Sequence, residues 1–319
     1  MLDLQSIRES NSQLREGQPE FVAVMVGATS GIGEATCREL VRNVPRPTVY
    51  IVGRNESRAS ALLVELRAVN PAAQIHFFRE DVALLENVDD VCKRIAAEAG
   101  HVNLLFLSAN VLRMARSPTS EGIDQMMALQ YYSRVRFITN LLPNLQRAGS
   151  KGELARVVSV LGAGKEGKIF HNDLLLEQNF SLSNCAAQAI CMTSLAFEHL
   201  AEENGAVSFL HVSPGVVRGT TITAGFGRVV SAVSRVLMTL AIPFTVSAEE
   251  SGERHLYFST NKSYEPTRAQ PPLRSFRLDF KGQVCPIPDL LAQYLKDGTQ
   301  NEVWSHTTDI FTSVGRKSA

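Results

Sequence analysis

The feature that most constrains this chain is the run Val24-Met25-Val26-Gly27-Ala28-Thr29-Ser30-Gly31-Ile32-Gly33-Glu34-Ala35. An apolar stretch, residues 21–26, runs straight into Gly27, Gly31 and Gly33, and a helical pattern comes next. Glycines permit the tight turn and remove the side chains that would keep a pyrophosphate off the backbone. The amino end of the helix then offers free N–H groups and a positive dipole end to that anion. Between a buried strand and a helix, the triplet specifies a dinucleotide-binding turn; an ordinary glycine-rich turn is the alternative. Thr29, Ser30 and Ile32 belong to the same expected contact.

Beyond the turn, strand-like and helix-like segments alternate. Residues 21–26, 48–53, 75–78, 102–107, 155–161 and 207–212 are short, continuous apolar runs of the kind found in strands buried on both faces. Helical patterns occupy 31–43, 57–69, 87–99, 121–147 and 184–204. This alternation predicts an α/β fold with a doubly wound parallel sheet. With 319 residues, a single elaborated domain is expected: a polar lead over 1–20, a nucleotide-binding core over 21–215, and a substrate-side lid and extension over 216–319. In the last part, Val229, Val230, Val233, Val236, Leu237 and Leu240 share one helical face. Residues 262–285 read as irregular with a hairpin near 274–284, and a final helix near 288–296 precedes a polar tail.

The second strand ends in Gly53 and Arg54, with no carboxylate to accept the ribose 2′-hydroxyl of NAD. A guanidinium there can pair with the 2′-phosphate of NADP, so NADP(H) is the expected cofactor; a solvated loop arginine is the other reading. Asp81, with Val82, comes after the third strand and either reaches the adenine or caps the next helix.

These residues resemble the short-chain dehydrogenase/reductase family over roughly residues 20–220. Gly27-Ala28-Thr29-Ser30-Gly31-Ile32-Gly33 matches its glycine motif, with Val26 where the family often has Thr, and Asp81-Val82 matches its Asp-hydrophobic pair. Leu107-Ser108-Ala109-Asn110 stands at the family's Asn-Asn-Ala-Gly, and Ser213-Pro214-Gly215-Val216-Val217 at its Pro-Gly segment beside the nicotinamide. The long stretch from Glu121 to Pro143 is similar to that of fungal members tied to natural-product pathways. The resemblance implies a Rossmann fold, a homodimer or homotetramer paired through 121–147 and 184–204, and cofactor contacts from Ser108, Asn110, Pro214, Gly215 and Val217.

It also implies a serine, a tyrosine, a lysine four residues later and an asparagine. Alignment puts Gly162 at the serine, Leu182 at the tyrosine, Ala186 at the lysine and Gln130 at the asparagine. No tyrosine occurs between Tyr132 and Tyr257, and no tyrosine has a lysine four residues later. Tyr131, Tyr132, Ser159 and His171 are the substitute catalytic candidates, each with a structural alternative: helix aromatics, a strand serine, a loop histidine.

Three classes of function remain open. One is an NADP(H)-dependent oxidoreductase with a relocated proton donor, acting on a hydrophobic small molecule. The second is a non-redox isomerase, cyclase or dehydratase on the same fold. The third is a non-catalytic NADP(H)-responsive binding protein. Lysines and arginines equal aspartates and glutamates at 32 each, which gives no field to draw in nucleic acid. The five cysteines form no CxxC pair or metal-ligand spacing, no run of eighteen apolar residues occurs, and the first twenty residues lack an apolar signal core. A cytoplasmic protein without a metal or a membrane span is therefore expected, with Cys185 and Cys191 as packing residues.

Overall fold

A computed structural model describes residues 3–17, 20–218, 245–269 and 273–317. Seven strands form one sheet: β1 (Phe21–Val26), β2 (Pro47–Gly53), β3 (Gln74–Arg79), β4 (Leu104–Leu107), β5 (Arg156–Val160), β6 (Ser208–Val212) and β7 (Phe276–Leu278). Their order is β3-β2-β1-β4-β5-β6-β7, and every pairing is parallel. All residues of β1, β4, β5 and β6 are buried because helices cover both faces. The chain winds outward in both directions from β1 and β4, so a crevice opens at their carboxyl ends. This is the expected doubly wound Rossmann sheet.

One face is covered by α1 (Leu4–Ser12), α2 (Gly31–Asn43), α3 (Glu56–Val69) and α8 (Ala248–Thr260). The other is covered by α4 (Leu85–Glu98), α5 (Gln125–Met127), α6 (Ser133–Ser150), α7 (Leu182–Glu203), α9 (Asp289–Tyr294) and α10 (Thr299–Lys317). Between α5 and α6 the chain makes a π turn, Ala128–Tyr132. The long stretch expected over 121–147 is thus a helix widened at its start.

The regions outside the nucleotide-binding core depart from the sequence reading. Residues 276–278 join the sheet as a parallel strand, while the expected hairpin survives as an antiparallel bridge between Leu278 and Val284. Residues 299–317, where no element was expected ahead of the polar tail 315–319, form α10, whose Val303, Thr307, Phe311 and Val314 are buried at spacings of four, four and three. Thr307 interrupts that apolar stripe, which hid the helix. The polar lead holds α1, capped by Asp3 and anchored by a fully buried Ile7, with Arg8 paired to Glu253 on α8. The apolar face expected over 229–240 lies outside the described residues. Among the described residues, no helix is long and apolar enough to cross a membrane. The five cysteines are buried and unpaired.

Candidate cofactor and active site

The β1–α2 turn builds the site. Gly27 and Gly31 take φ of +83° and +61°, the left-handed region that favours glycine. A Cβ on Gly27 would stand 2.5 Å from the Ala109 nitrogen, and one on Gly33 would overlap Ser108 Oγ. The glycines therefore bring the turn against the end of β4. Ser108 Oγ holds it there by donating to the Val26 carbonyl at 3.0 Å. Ser30 precedes α2 in extended conformation, and its side chain makes no capping bond. The first N–H groups of α2 are left for an external acceptor.

That turn opens into a pocket of about 480 Å³ at the carboxyl ends of β1, β2, β4 and β5. Thr29, Ser30, Gly31, Ile32 and Gly33 form its floor, and Val52, Gly53, Arg54, Asn55 and Arg58 form one end. Asn55 caps α3 by accepting from the Arg58 nitrogen, which sets Arg58 one helical turn behind Arg54. Arg54 Nη1 stands 3.6 Å from Asp81 Oδ2, both partly exposed; Arg58 makes no ion pair among the described residues. Glu80 also faces this end and pairs with Arg94. Asp81 accepts from the Ala83 nitrogen and turns the chain after β3, which brings Val82 to the pocket.

The opposite end is apolar. Ala109, Val111, Leu129, Val160, Leu161 and Pro214 line it, and Asn110 is its polar member beside Ser108. Asn110 Oδ1 accepts from Gln130 Nε2 at 2.9 Å, so the glutamine at the resemblance's asparagine position acts on the wall indirectly. Gly215 comes after Pro214 with φ +69°, and the buried Val217 bridges to Val246. Neither Asp81, Gly215 nor Val217 lines the pocket itself.

None of the four catalytic candidates reaches the pocket wall. Tyr131 Oη bonds Thr307 Oγ1 at 2.7 Å, and Tyr132 Oη bonds His306 Nε2 at 2.9 Å. Burial pushes both phenols above their ordinary range. His171 Nδ1 pairs with Glu302 at 2.7 Å. Three of the four therefore meet α10, a helix the sequence reading did not contain. Ser159 is fully buried and accepts from Arg134 Nη1 at 2.8 Å.

Among the described residues, no tyrosine, lysine, histidine or cysteine lines the pocket. Residues 219–244 contain none of these types, and no aspartate or glutamate. Towards the loop after β5, α7 presents Ala187, which a Cβ on Gly167 would meet at 2.7 Å, and Ile190, which a Cβ on Gly162 would meet at 2.5 Å. A buried chain of bonds underlies this loop. The Gly162 nitrogen donates to His211 Nε2, His211 Nδ1 meets Ser194 Oγ, and Ser194 donates to Glu166. Glu166 is paired with Arg277 at 2.6 Å, both side chains fully buried.

Sequence reasoning missed Arg58 and Arg134. Arg58 lies in the first turn of α3, four residues after Arg54, and that proximity was legible in the sequence. Arg134 required the tertiary packing, since its four acceptors come from three segments: the π turn, β5 and the chain after β4.

A family model for short chain dehydrogenase matches residues 21–228. The chain is 40% identical to the oxidoreductase AN1596 of Emericella nidulans, over 97% of this chain and 98% of that one. It is 37% identical to the oxidoreductase andH of Emericella variicolor, over 98% of each. Among solved structures it superposes on the alcohol dehydrogenase of the archaeon Thermococcus sibiricus complexed with 5-hydroxy-NADP. That match has a TM-score of 0.57 at 19% identity and covers 82% of this chain and 95% of that one. With the glycine turn, the sheet order and the family match in agreement, the chain belongs to the short-chain dehydrogenase/reductase family of oxidoreductases.

Proposed function

We propose that this protein is an NADP(H)-dependent oxidoreductase acting on a hydrophobic small molecule without serine–tyrosine–lysine acid catalysis. The observation that carries the reading is the division of one pocket into two ends. Arg54 and Arg58 line one end, which supports a 2′-phosphate there, and Ala109, Val111, Leu129, Val160, Leu161 and Pro214 line the other end. The uncapped start of α2 fits the pyrophosphate, and the glycines leave the room it needs. When bound, the dinucleotide supplies hydride chemistry; the chain's residues bind it, orient it and exclude water.

The apolar end supports an apolar substrate, and the fungal relatives direct the search towards natural-product ketones and enones. The buried, unpaired thiols support a reducing compartment such as the cytoplasm. Calorimetry should show NADPH binding more tightly than NADH, with the preference reduced by Arg54→Ala. Equal affinities would remove the NADP assignment.

A second reading is favoured by the lack, among the described residues, of a tyrosine, lysine, histidine or cysteine at the apolar end. A non-redox enzyme or an NADP(H)-responsive binding protein needs no donor there. Incubation with NADPH and a panel of ketones and enones separates them. Loss of reduced-nicotinamide absorbance supports the oxidoreductase, whereas substrate conversion with unchanged absorbance supports the non-redox enzyme.

A further inference from the structure

A cation without a counter-ion lies behind the apolar end of the pocket. Arg134 is 2% exposed and makes no ion pair among the described residues. Its acceptors are all neutral: the Leu129 carbonyl at 2.9 Å, Ser159 Oγ at 2.8 Å, the Val160 carbonyl at 2.8 Å and the Ala109 carbonyl at 2.9 Å. Ala109, Leu129 and Val160 are pocket-wall residues, so the guanidinium sits one peptide group behind the wall. Its reach to Leu129, five residues earlier, comes from the π turn, which widens the helix at that carbonyl.

The charge persists at neutral pH. Burial pushes the guanidinium down to about 9, which leaves it protonated at pH 7. Nothing nearby cancels it. Glu166 is already matched by Arg277, and His211 is held neutral, pushed down to about 3 by burial, with Arg134 contributing. In surroundings of low polarity the field of such a charge is screened less than in water.

We propose that Arg134 makes the pocket select the reduced dinucleotide over the oxidised one. The inference rests on the cofactor reading given above. Loss of a hydride, one proton with two electrons, from the reduced nicotinamide to the acceptor leaves the ring with one positive charge. Arg134 repels that charge and is indifferent to the neutral reduced ring. The protein therefore loads NADPH and expels NADP⁺. Arg134 acts through the wall and is a positioning and electrostatic residue, not a group that touches the reacting atoms.

The test is a set of dissociation constants for NADPH, NADP⁺ and 2′-phospho-ADP-ribose, which lacks the nicotinamide. In the unmodified protein NADPH should bind at least tenfold more tightly than NADP⁺, and NADP⁺ no more tightly than the ringless fragment. Arg134→Gln should shrink the NADPH/NADP⁺ ratio at least fivefold, and Arg134→Lys should keep it. A merely structural role would shift both affinities together and leave the ratio intact, which overturns the proposal. Equal binding of NADPH and NADP⁺ to the unmodified protein overturns it without any variant. If none of the three ligands binds, the cofactor reading itself fails.

Discussion

Tyr131 Oη lies 2.7 Å from Thr307 Oγ1, and this contact ties the π turn to the C-terminal helix α10. Both groups are fully buried. Tyr131→Phe leaves Thr307 its bond to the Val303 carbonyl, so the expected cost is about 1 kcal/mol of stability. Denaturant melts measure that cost, and calorimetry should show NADPH affinity unchanged. A hundredfold loss of turnover at unchanged stability would instead make Tyr131 catalytic.

Gly27→Ala is expected to abolish dinucleotide binding. Its Cβ would stand 2.5 Å from the Ala109 backbone at a φ of +83°, and backbone cannot give way as a side-chain end can. Strain of this kind costs about 1–3 kcal/mol. Thermal melting and NADPH titration of the variant check both effects.

Restoring a serine at Gly162 requires the end of the Ile190 side chain to move aside. The new Cβ would meet Ile190 Cδ1 at 2.5 Å. Overpacking of this sort costs about 1–3 kcal/mol, and Ile190→Val should relieve it because the clashing atom is removed. Melting curves of Gly162→Ser with and without Ile190→Val decide. Leu182→Tyr with Ala186→Lys added to the relieved pair then asks whether ketone reduction appears.

Stability should fall as pH drops below about 6.5. Burial pushes His211 down to about 3, with Glu166 opposing and Arg277 and Arg134 adding to the shift, and burial pushes His255 down to about 4. Both titrate near 6.5 in the unfolded chain, so the unfolded state takes up protons that the folded state refuses. The stabilisation is complete above that pH and is lost towards pH 3–4, at about 1.4 kcal/mol per pH unit for each histidine. Denaturant melts between pH 7.5 and 5 should show this slope, with one histidine's share removed in His211→Gln.

The assembly expected from the resemblance meets an obstacle in α10. Val303, Phe311 and Val314 are packed into the cluster that also holds residues of α4, α6 and α7, the side through which pairing was expected. Light scattering should show a 35 kDa species for the full chain. Deleting residues 299–319 should expose that surface and produce larger species. A dimer of the full chain would mean that α10 is part of the interface or that pairing uses another face.

Local sequence determined the strands β1 to β6, the helices between them and the glycine turn. Each depends on neighbours in the chain: continuous apolar runs, helical periodicity, and glycines at positions of positive φ. The nucleotide end of the pocket was legible for the same reason, because Arg54 comes directly after β2. Contacts between distant segments decided the rest. The three residues 276–278 are strand only because β6 offers them an edge, and α10 is held by side chains more than a hundred residues away. Hydroxyl and imidazole groups on Tyr131, Tyr132 and His171 carry the same chemistry whether they face a substrate or a helix, and sequence does not distinguish the two. The tertiary structure does, by placing Thr307, His306 and Glu302 against them and by gathering the acceptors of Arg134 from three segments around one buried charge.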